Sequence, residues 1–222
     1  MRAFRVVEAE QRSPEWFAAR LGRLTGSVAG DMVATIKSGE AAGRRNLRLK
    51  LVLERLTQRS QDSEFISPAM QAGIDREPLA FAAYEAMTGD VVTRVGFLAH
   101  TAHMAGCSPD GYLGDFGKVL SIKCRQPAAH YDFLRTATIQ AAALAQIRHE
   151  LWMTGADAAD YFSWNPDFPD ALQARIVTVR RADASIPEYE DRALAFLAEV
   201  EREIEAVRSM TNLGAVLMES VA

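Results

Sequence analysis

The strongest constraint in this sequence is an apolar run that closes on a lysine, Val119-Leu120-Ser121-Ile122-Lys123-Cys124. It is preceded by Gly106-Cys107-Ser108-Pro109-Asp110 and by the turn-rich residues Gly111 to Gly117. The pattern predicts two short strands around a turn, with Asp110 at the end of the first and Lys123 near the middle of the second. An ammonium group is costly to bury unless it is paired, so a lysine in such a strand needs an anion nearby. Asp110 offers one across the hairpin, and the pair suggests a pocket for a hard divalent cation and a phosphoryl group. The plain alternative is an exposed hairpin in which Asp110 serves a Pro-Asp-Gly turn and Lys123 reaches out to solvent.

A chain of 222 residues can bury one sizeable core, and 1–222 is read as a single domain. The two cysteines, Cys107 and Cys124, are too few for a structural zinc or an iron–sulfur cluster. Both lie on strands expected to be neighbours, yet two small buried thiols in a reducing cytoplasm explain them more simply than a disulfide. No apolar run approaches the roughly 18 residues of a membrane span, and the N-terminus carries no signal-peptide core, so a cytoplasmic protein with no membrane partner is expected.

The net charge of −4 argues against a general nucleic-acid coat, but charge is segregated along the chain. From 37 to 59, seven basic residues (Lys37, Arg44, Arg45, Arg48, Lys50, Arg55, Arg59) face two acids, whereas 181 to 208 holds eight acids and four arginines. The basic segment is either a grip for phosphates or a solvated helix face.

Taken in order, residues 3 to 8 predict a short strand and Ser13-Pro14 a capped helix start. Thr25-Gly26-Ser27 opens a short helix through Val33. Asn46 to Gln58 predicts a helix with Leu49, Val52, Leu53 and Leu56 on one face, and Ser67-Pro68 begins another that runs to about Met87. Val91 to His100 is expected as a strand entering the hairpin. Helices follow at 126–134 and 138–154, strands at 161–164 and 176–179, and a terminal amphipathic helix at 184–210 with Leu194, Leu197, Val200, Ile204 and Val207 inward. The histidines (100, 103, 130, 149) have no metal-binding or triad spacing.

Several of these landmarks together resemble a known family. Ser108-Pro109-Asp110-Gly111 followed by Ser121-Ile122-Lys123-Cys124 is similar to the signature of the phage lambda exonuclease-like, or YqaJ-type, viral recombinase nucleases of the PD-(D/E)xK superfamily. Trp16, Arg20 and Thr25-Gly26-Ser27 resemble that family's opening element, Gly73 to Glu77 its G-x-x-x-E element, and Ala145-Gln146 to Thr154 its A-Q helix. The resemblance implies an α/β fold, a central mixed β-sheet flanked by helices, as in restriction endonucleases. It implies a Mg²⁺-dependent 5′-to-3′ exonuclease on linear double-stranded DNA, with Mn²⁺ as a possible substitute and two ions per site. Mononucleotides would be released and 3′ overhangs left for recombination by strand annealing. The partners implied are double-stranded DNA ends, a single-strand annealing protein and further copies of the chain in a ring-shaped homotrimer.

Residue by residue, the resemblance assigns catalysis to Asp110, Lys123, Glu77 and Gln146, and metal binding to Asp110, Ile122 through its carbonyl, Glu77 and position 121. Arg20, Ser27 and Ser108 match residues that hold the terminal 5′-phosphate. Three positions depart from the pattern: Ser121 stands where the family has Glu, Arg125 where it has Pro and Arg148 where it has Gln. Loss of one catalytic electrostatic contact costs about 3 to 4 kcal/mol, two to three decades in rate. Two readings therefore stay open. Either the chain is an active nuclease, working with a weaker site or with Asp115 or another carboxylate in compensation, or it is a DNA-end-binding protein with weak or no nuclease activity. A soluble metabolic domain, the third class, predicts no salt-dependent DNA binding.

Overall fold

The strand carrying the lysine is buried on both faces, and this fixes the layout around it. In the computed structural model, which describes residues 2–61 and 67–219, the strand β6 spans Lys118–Cys124 and covers Val119, Leu120 and Ser121 almost completely. Its first neighbour is β5 (Gly111–Leu113), antiparallel, with Gly111 opposite Leu120 and Leu113 opposite Lys118. Its second is β7 (Ala158–Trp164), parallel, with Ser121 opposite Tyr161. A parallel pair cannot be joined by a tight turn, and the crossover is made by α5 (Pro127–Thr136) and α6 (Ala141–Thr154). The antiparallel β8 (Ala174–Arg180) completes the order β5-β6-β7-β8.

Alternation along β6 sends Leu120 and Ile122 to one face and Val119, Ser121 and Lys123 to the other. Leu120 and Ile122 join Phe162 and Trp164 of β7 against Ala80, Phe81 and Tyr84 of α4 (Pro68–Thr88). Ser67 caps α4, accepting from the Met70 N–H at 3.2 Å, and Gly89 in the left-handed region ends it. Val119 packs with Ala159 and Tyr161 against Phe133 of α5 and Ile147 and Leu151 of α6. Asp160 of β7 is buried but fully partnered, accepting from Tyr84 Oη (2.7 Å), Lys118 Nζ (3.0 Å) and Thr178 Oγ1 (2.6 Å).

A second four-stranded mixed sheet holds β1 (Phe4–Val7), β3 (Phe97–His100), β4 (Ala105–Cys107) and β2 (Leu24–Thr25), in that order. β4 is antiparallel to β3 and parallel to β2, and the chain passes from β4 through Ser108 to Asp110 into β5. This corrects the expected hairpin: Gly106 pairs with Ala99 and Thr25, and the strand opposite Val119 and Leu120 begins only at Gly111. Cys107 and Cys124 consequently lie in different sheets, both as free thiols. The strand expected over Val91–His100 is shorter, because Thr93 makes only an isolated bridge to Tyr112.

The remaining helices are α1 (Pro14–Arg20), a 3₁₀ turn at Gly26–Val28 running into α2 (Ala29–Met32), α3 (Ala42–Thr57) and α7 (Ile186–Glu219). α3 buries Leu47, Leu51 and Val52, whereas Leu49 and Leu53 are exposed, so the apolar face expected through 49, 52, 53 and 56 is rotated. The reason is its partner. Arg44 reaches Glu40 (2.6 Å) and Glu199 (2.8 Å), Arg48 reaches Glu203 (2.5 Å) and Arg55 reaches Glu201 (2.6 Å). These side chains of the basic segment are mated to the acidic α7. α7 buries Phe196, Leu197, Val200 and Ile204 as expected, but Val207 is exposed. No helix among the described residues is long and apolar enough to cross a membrane.

Candidate active site

Asp110 is fastened to the backbone on either side of Ser121. Its own N–H donates to Leu120 O (3.1 Å), and its Oδ2 accepts from the Ile122 N–H (2.5 Å). In a strand the N–H and C=O of one residue point the same way, so the Ile122 carbonyl opens on the edge where Asp110 sits. Lys123, on the α6 face, donates to Gln146 Oε1 at 3.4 Å, and Gln146 Nε2 donates to Glu150 Oε1 at 2.8 Å. Glu77 approaches from α4 and pairs with Arg12 at 3.5 Å.

The charges feel one another. Burial pushes the Asp110 carboxyl above its ordinary value; Lys123 and the Ile122 N–H oppose this, and Glu77 adds to it. Burial likewise raises the Glu150 carboxyl to about 8, with the negative charge of Asp110 contributing. Cys124 is pushed up to about 11 by burial and then by Glu77 and Asp110. Among the described residues no three His, Cys, Asp or Glu side chains already converge as a cage. The oxygen donors still suit a hard cation, since Mg²⁺ sites use one or two carboxylates and complete their shell with water and substrate phosphate.

Beside this cluster stands a second one. Ser13 caps α1, and the Arg20 guanidinium lies 4.1 Å from the centre of the Trp16 ring while donating to Ser27 Oγ at 3.1 Å. Trp16 Nε1 donates to Ser108 Oγ at 2.8 Å. Arg20, Ser27 and Ser108 are thus tied into one network by an indole. Gly26 joins the two clusters: a Cβ there would lie 3.5 Å from Gln146 Cγ and 3.7 Å from Glu150 Oε1.

Residues 15–157 match the model of the YqaJ-like viral recombinase domain. The chain belongs to this family. An alkaline exonuclease from Laribacter hongkongensis is 35% identical over 90% of this chain and 98% of its own, with a TM-score of 0.80. The same enzyme in complex with dAMP gives 36% identity over 90% of this chain and 100% of its own, with a TM-score of 0.81. A phage-related exonuclease from Haemophilus somnus shares the fold at 12% identity, covering 83% of this chain and 96% of its own, with a TM-score of 0.68. No curated protein matches the chain. The fold is that of the PD-(D/E)xK-like alkaline exonucleases, as the resemblance implied.

The three departures from the YqaJ-type pattern differ in kind. Arg125 is scaffold: it donates to Tyr161 Oη and packs over the rings of Phe133 (5.2 Å) and Tyr161 (5.5 Å). Arg148 is half-buried, its Nε without a hydrogen-bond partner. Ser121 is 1% exposed and its hydroxyl has no partner either. Asp115 does not compensate for it. That residue is exposed, paired with Arg2 in the turn before Lys118, and β6 carries Ser121 about 10 Å further along. His130 and His149 are buried with both ring nitrogens partnered, and burial lowers the His149 pKa to about 4. The sequence reading missed Glu150; its only signal was a position one helical turn beyond Gln146.

Proposed function

We propose that this protein is an exonuclease that degrades one strand of linear duplex DNA from a 5′-phosphorylated end, 5′ to 3′. It would release mononucleotides and leave a 3′ single-stranded overhang. The observation that carries this reading is the junction at Gly26 of an arginine–serine network with an aspartate–lysine cluster. A related alkaline exonuclease solved with dAMP, a mononucleotide, is consistent with it.

Arg20, braced by Trp16 and already donating to Ser27, carries a guanidinium whose planar fork suits a terminal phosphate, and the Ser27 and Ser108 hydroxyls add neutral donors. Holding that end fixes which phosphodiester reaches Asp110 and Lys123. Lys123, oriented by Gln146, positions the attacking water and, as a cation, stabilises the hydroxide left when solvent takes its proton. Asp110, the Ile122 carbonyl and Glu77 would hold Mg²⁺, or Mn²⁺ in its place, with two ions per site as the family resemblance implies. The ion supplies stabilisation of the charge that develops on the scissile phosphate. A homotrimeric ring around the DNA and transfer of the overhang to a single-strand annealing protein belong to the same reading and rest on resemblance alone.

One observation favours a protein that binds ends without cutting them: Ser121 brings no charge to the site. The test is acid-soluble nucleotide release from linear duplex DNA phosphorylated at one 5′ end, with and without Mg²⁺. Release from that strand in the presence of Mg²⁺ is expected. Binding to the end with no release would establish the alternative.

A further inference from the structure

Among the described residues, three carboxylates besides Asp110 are buried in the core, and two of them are fully served. Asp160 accepts from three donors, and Glu54 from the Gly22 N–H (2.9 Å) and the Gln61 N–H (3.1 Å). Glu150 differs. It is 1% exposed, its Oε1 takes one N–H from Gln146, and its Oε2 has no partner. The fold demonstrably knows how to satisfy a buried acid, so an acid left half-satisfied calls for a ligand.

The place of this unpaired oxygen follows from the topology. β6 and β7 run parallel, so α6, which returns the chain to the start of β7, runs opposite to β6. Lys123 meets Gln146 near the C-terminal end of β6. One turn further along α6 is about 6 Å. Two residues back along β6 is about 6.6 Å on the same face. The two steps go in the same direction in space, from Gln146 to Glu150 and from Lys123 to Ser121. Ser121 is itself buried, with an unpartnered hydroxyl. Too short and neutral to bind a cation strongly, it leaves room under α6 for a longer side chain from the helix.

We propose that Glu150 supplies, from α6, the carboxylate that β6 lacks at Ser121, so that the divalent cation is held by Asp110, the Ile122 carbonyl and Glu150. Lys123 and Gln146 line the same side, the amide linking the ammonium to the carboxylate. Glu77, on the α4 side and paired with Arg12, is then the outer group. The proposal rests on the nuclease reading for the presence of the ion, but not on turnover for its test.

The experiment is Mn²⁺ binding to the DNA-free protein by isothermal titration calorimetry, with the Mn²⁺-induced rise in Tm as a second readout. Four proteins are compared: the chain as it stands, E150Q, S121E/E150S, which exchanges the two side chains, and E77Q. E150Q is expected to weaken Mn²⁺ binding at least tenfold and to abolish most of the Tm rise. The exchange variant is expected to return affinity to within about threefold of the unaltered protein, a loss of less than about 0.7 kcal/mol. E77Q should weaken binding less than E150Q. Unchanged Mn²⁺ affinity in E150Q overturns the proposal. Should E150Q fail to fold, the exchange variant decides: bound Mn²⁺ supports the proposal and its absence overturns it. Failure of the nuclease reading looks different, with Mn²⁺ bound through Glu150 but no nucleotide released by the unaltered protein. Normal release by E150Q with normal Mn²⁺ affinity would leave the nuclease reading standing and remove Glu150 from it.

Discussion

Substituting Arg20 by glutamine isolates the proposed terminal-phosphate contact from the chemistry. Arg20 closes α1, a helix with no buried residue, but it stacks on Trp16 and donates to Ser27, so its replacement should cost about 1 kcal/mol of stability, read separately as a fall in Tm. What is lost is a cation held over Trp16 at 4.1 Å and aimed at Ser27 Oγ. A charge-assisted hydrogen bond contributes about 1.5–3 kcal/mol. Converted at 1.4 kcal/mol per decade, that is a loss of about 10- to 150-fold. The loss should fall only on ends that carry a 5′-phosphate. The assay is single-turnover release from two duplexes that differ in one group, a 5′-phosphate or a 5′-hydroxyl. R20Q should collapse the ratio of the two rates while leaving the 5′-hydroxyl rate within about threefold, since no phosphate contact existed there to lose. R20K, which keeps charge but neither fork nor stacking, should fall between. Equal slowing of both substrates by R20Q, or an unchanged ratio, refutes the assignment.

Other consequences are as open to measurement. Lys123→Met should reduce nucleotide release by about 10²- to 10⁴-fold at unchanged end affinity, as loss of a group that assists proton transfer does; a loss of affinity matching the loss of rate would count against it. Phe162→Ala removes a ring that is 0% exposed and packs edge-on to Tyr84 at 5.3 Å. It should cost about 3–5 kcal/mol, readable as a fall in the denaturation midpoint, and a cost below 1 kcal/mol would contradict the described packing. Because Arg44 and Arg48 face Glu199 and Glu203 across α3 and α7, R44A/R48A should lower Tm yet leave the salt dependence of DNA binding unaltered. A shallower salt slope would return those arginines to the DNA surface.

The parts of this fold that were legible in the sequence are those governed by local rules. Ser13-Pro14 and Ser67-Pro68 announce α1 and α4 through caps that the structure contains, and the apolar run at 119–124 is a buried strand. The expected hairpin was misplaced because strand pairing is not local. Gly106 finds Phe97–His100 and Thr25, both far from Val119 in this respect, while only Gly111 to Leu113 oppose β6. The charge-rich helices were ambiguous in the sequence for a related reason. A basic stretch read alone looks like a phosphate grip, whereas α3 and α7, about 150 residues apart, neutralise each other on contact.

Of the site residues carried over from the family signature, Asp110, Lys123, Ser108 and Arg20 sit at or beside the ends of elements, whereas Gln146 and Glu77 are presented from the middle of α6 and α4. Asp110 is fixed by backbone bonds flanking Ser121, Lys123 by Gln146 and Arg20 by Trp16. What the signature hides is the compensation proposed above for its own missing letter. A motif is read along the strand, so attention falls on Ser121 and then on the next acid in line, Asp115, which the turn carries out to solvent. A cation answers instead to the space around Asp110, and that space is bounded by β6 on one side and α6 on the other. Glu150 is remote from Ser121 in sequence but sits one helical turn from the glutamine that holds Lys123. A carboxylate can therefore leave the strand without leaving the site, provided that the helix opposite runs antiparallel and the vacated position shrinks. Both conditions are met here: β6 and β7 are parallel, and the residue at 121 is a serine.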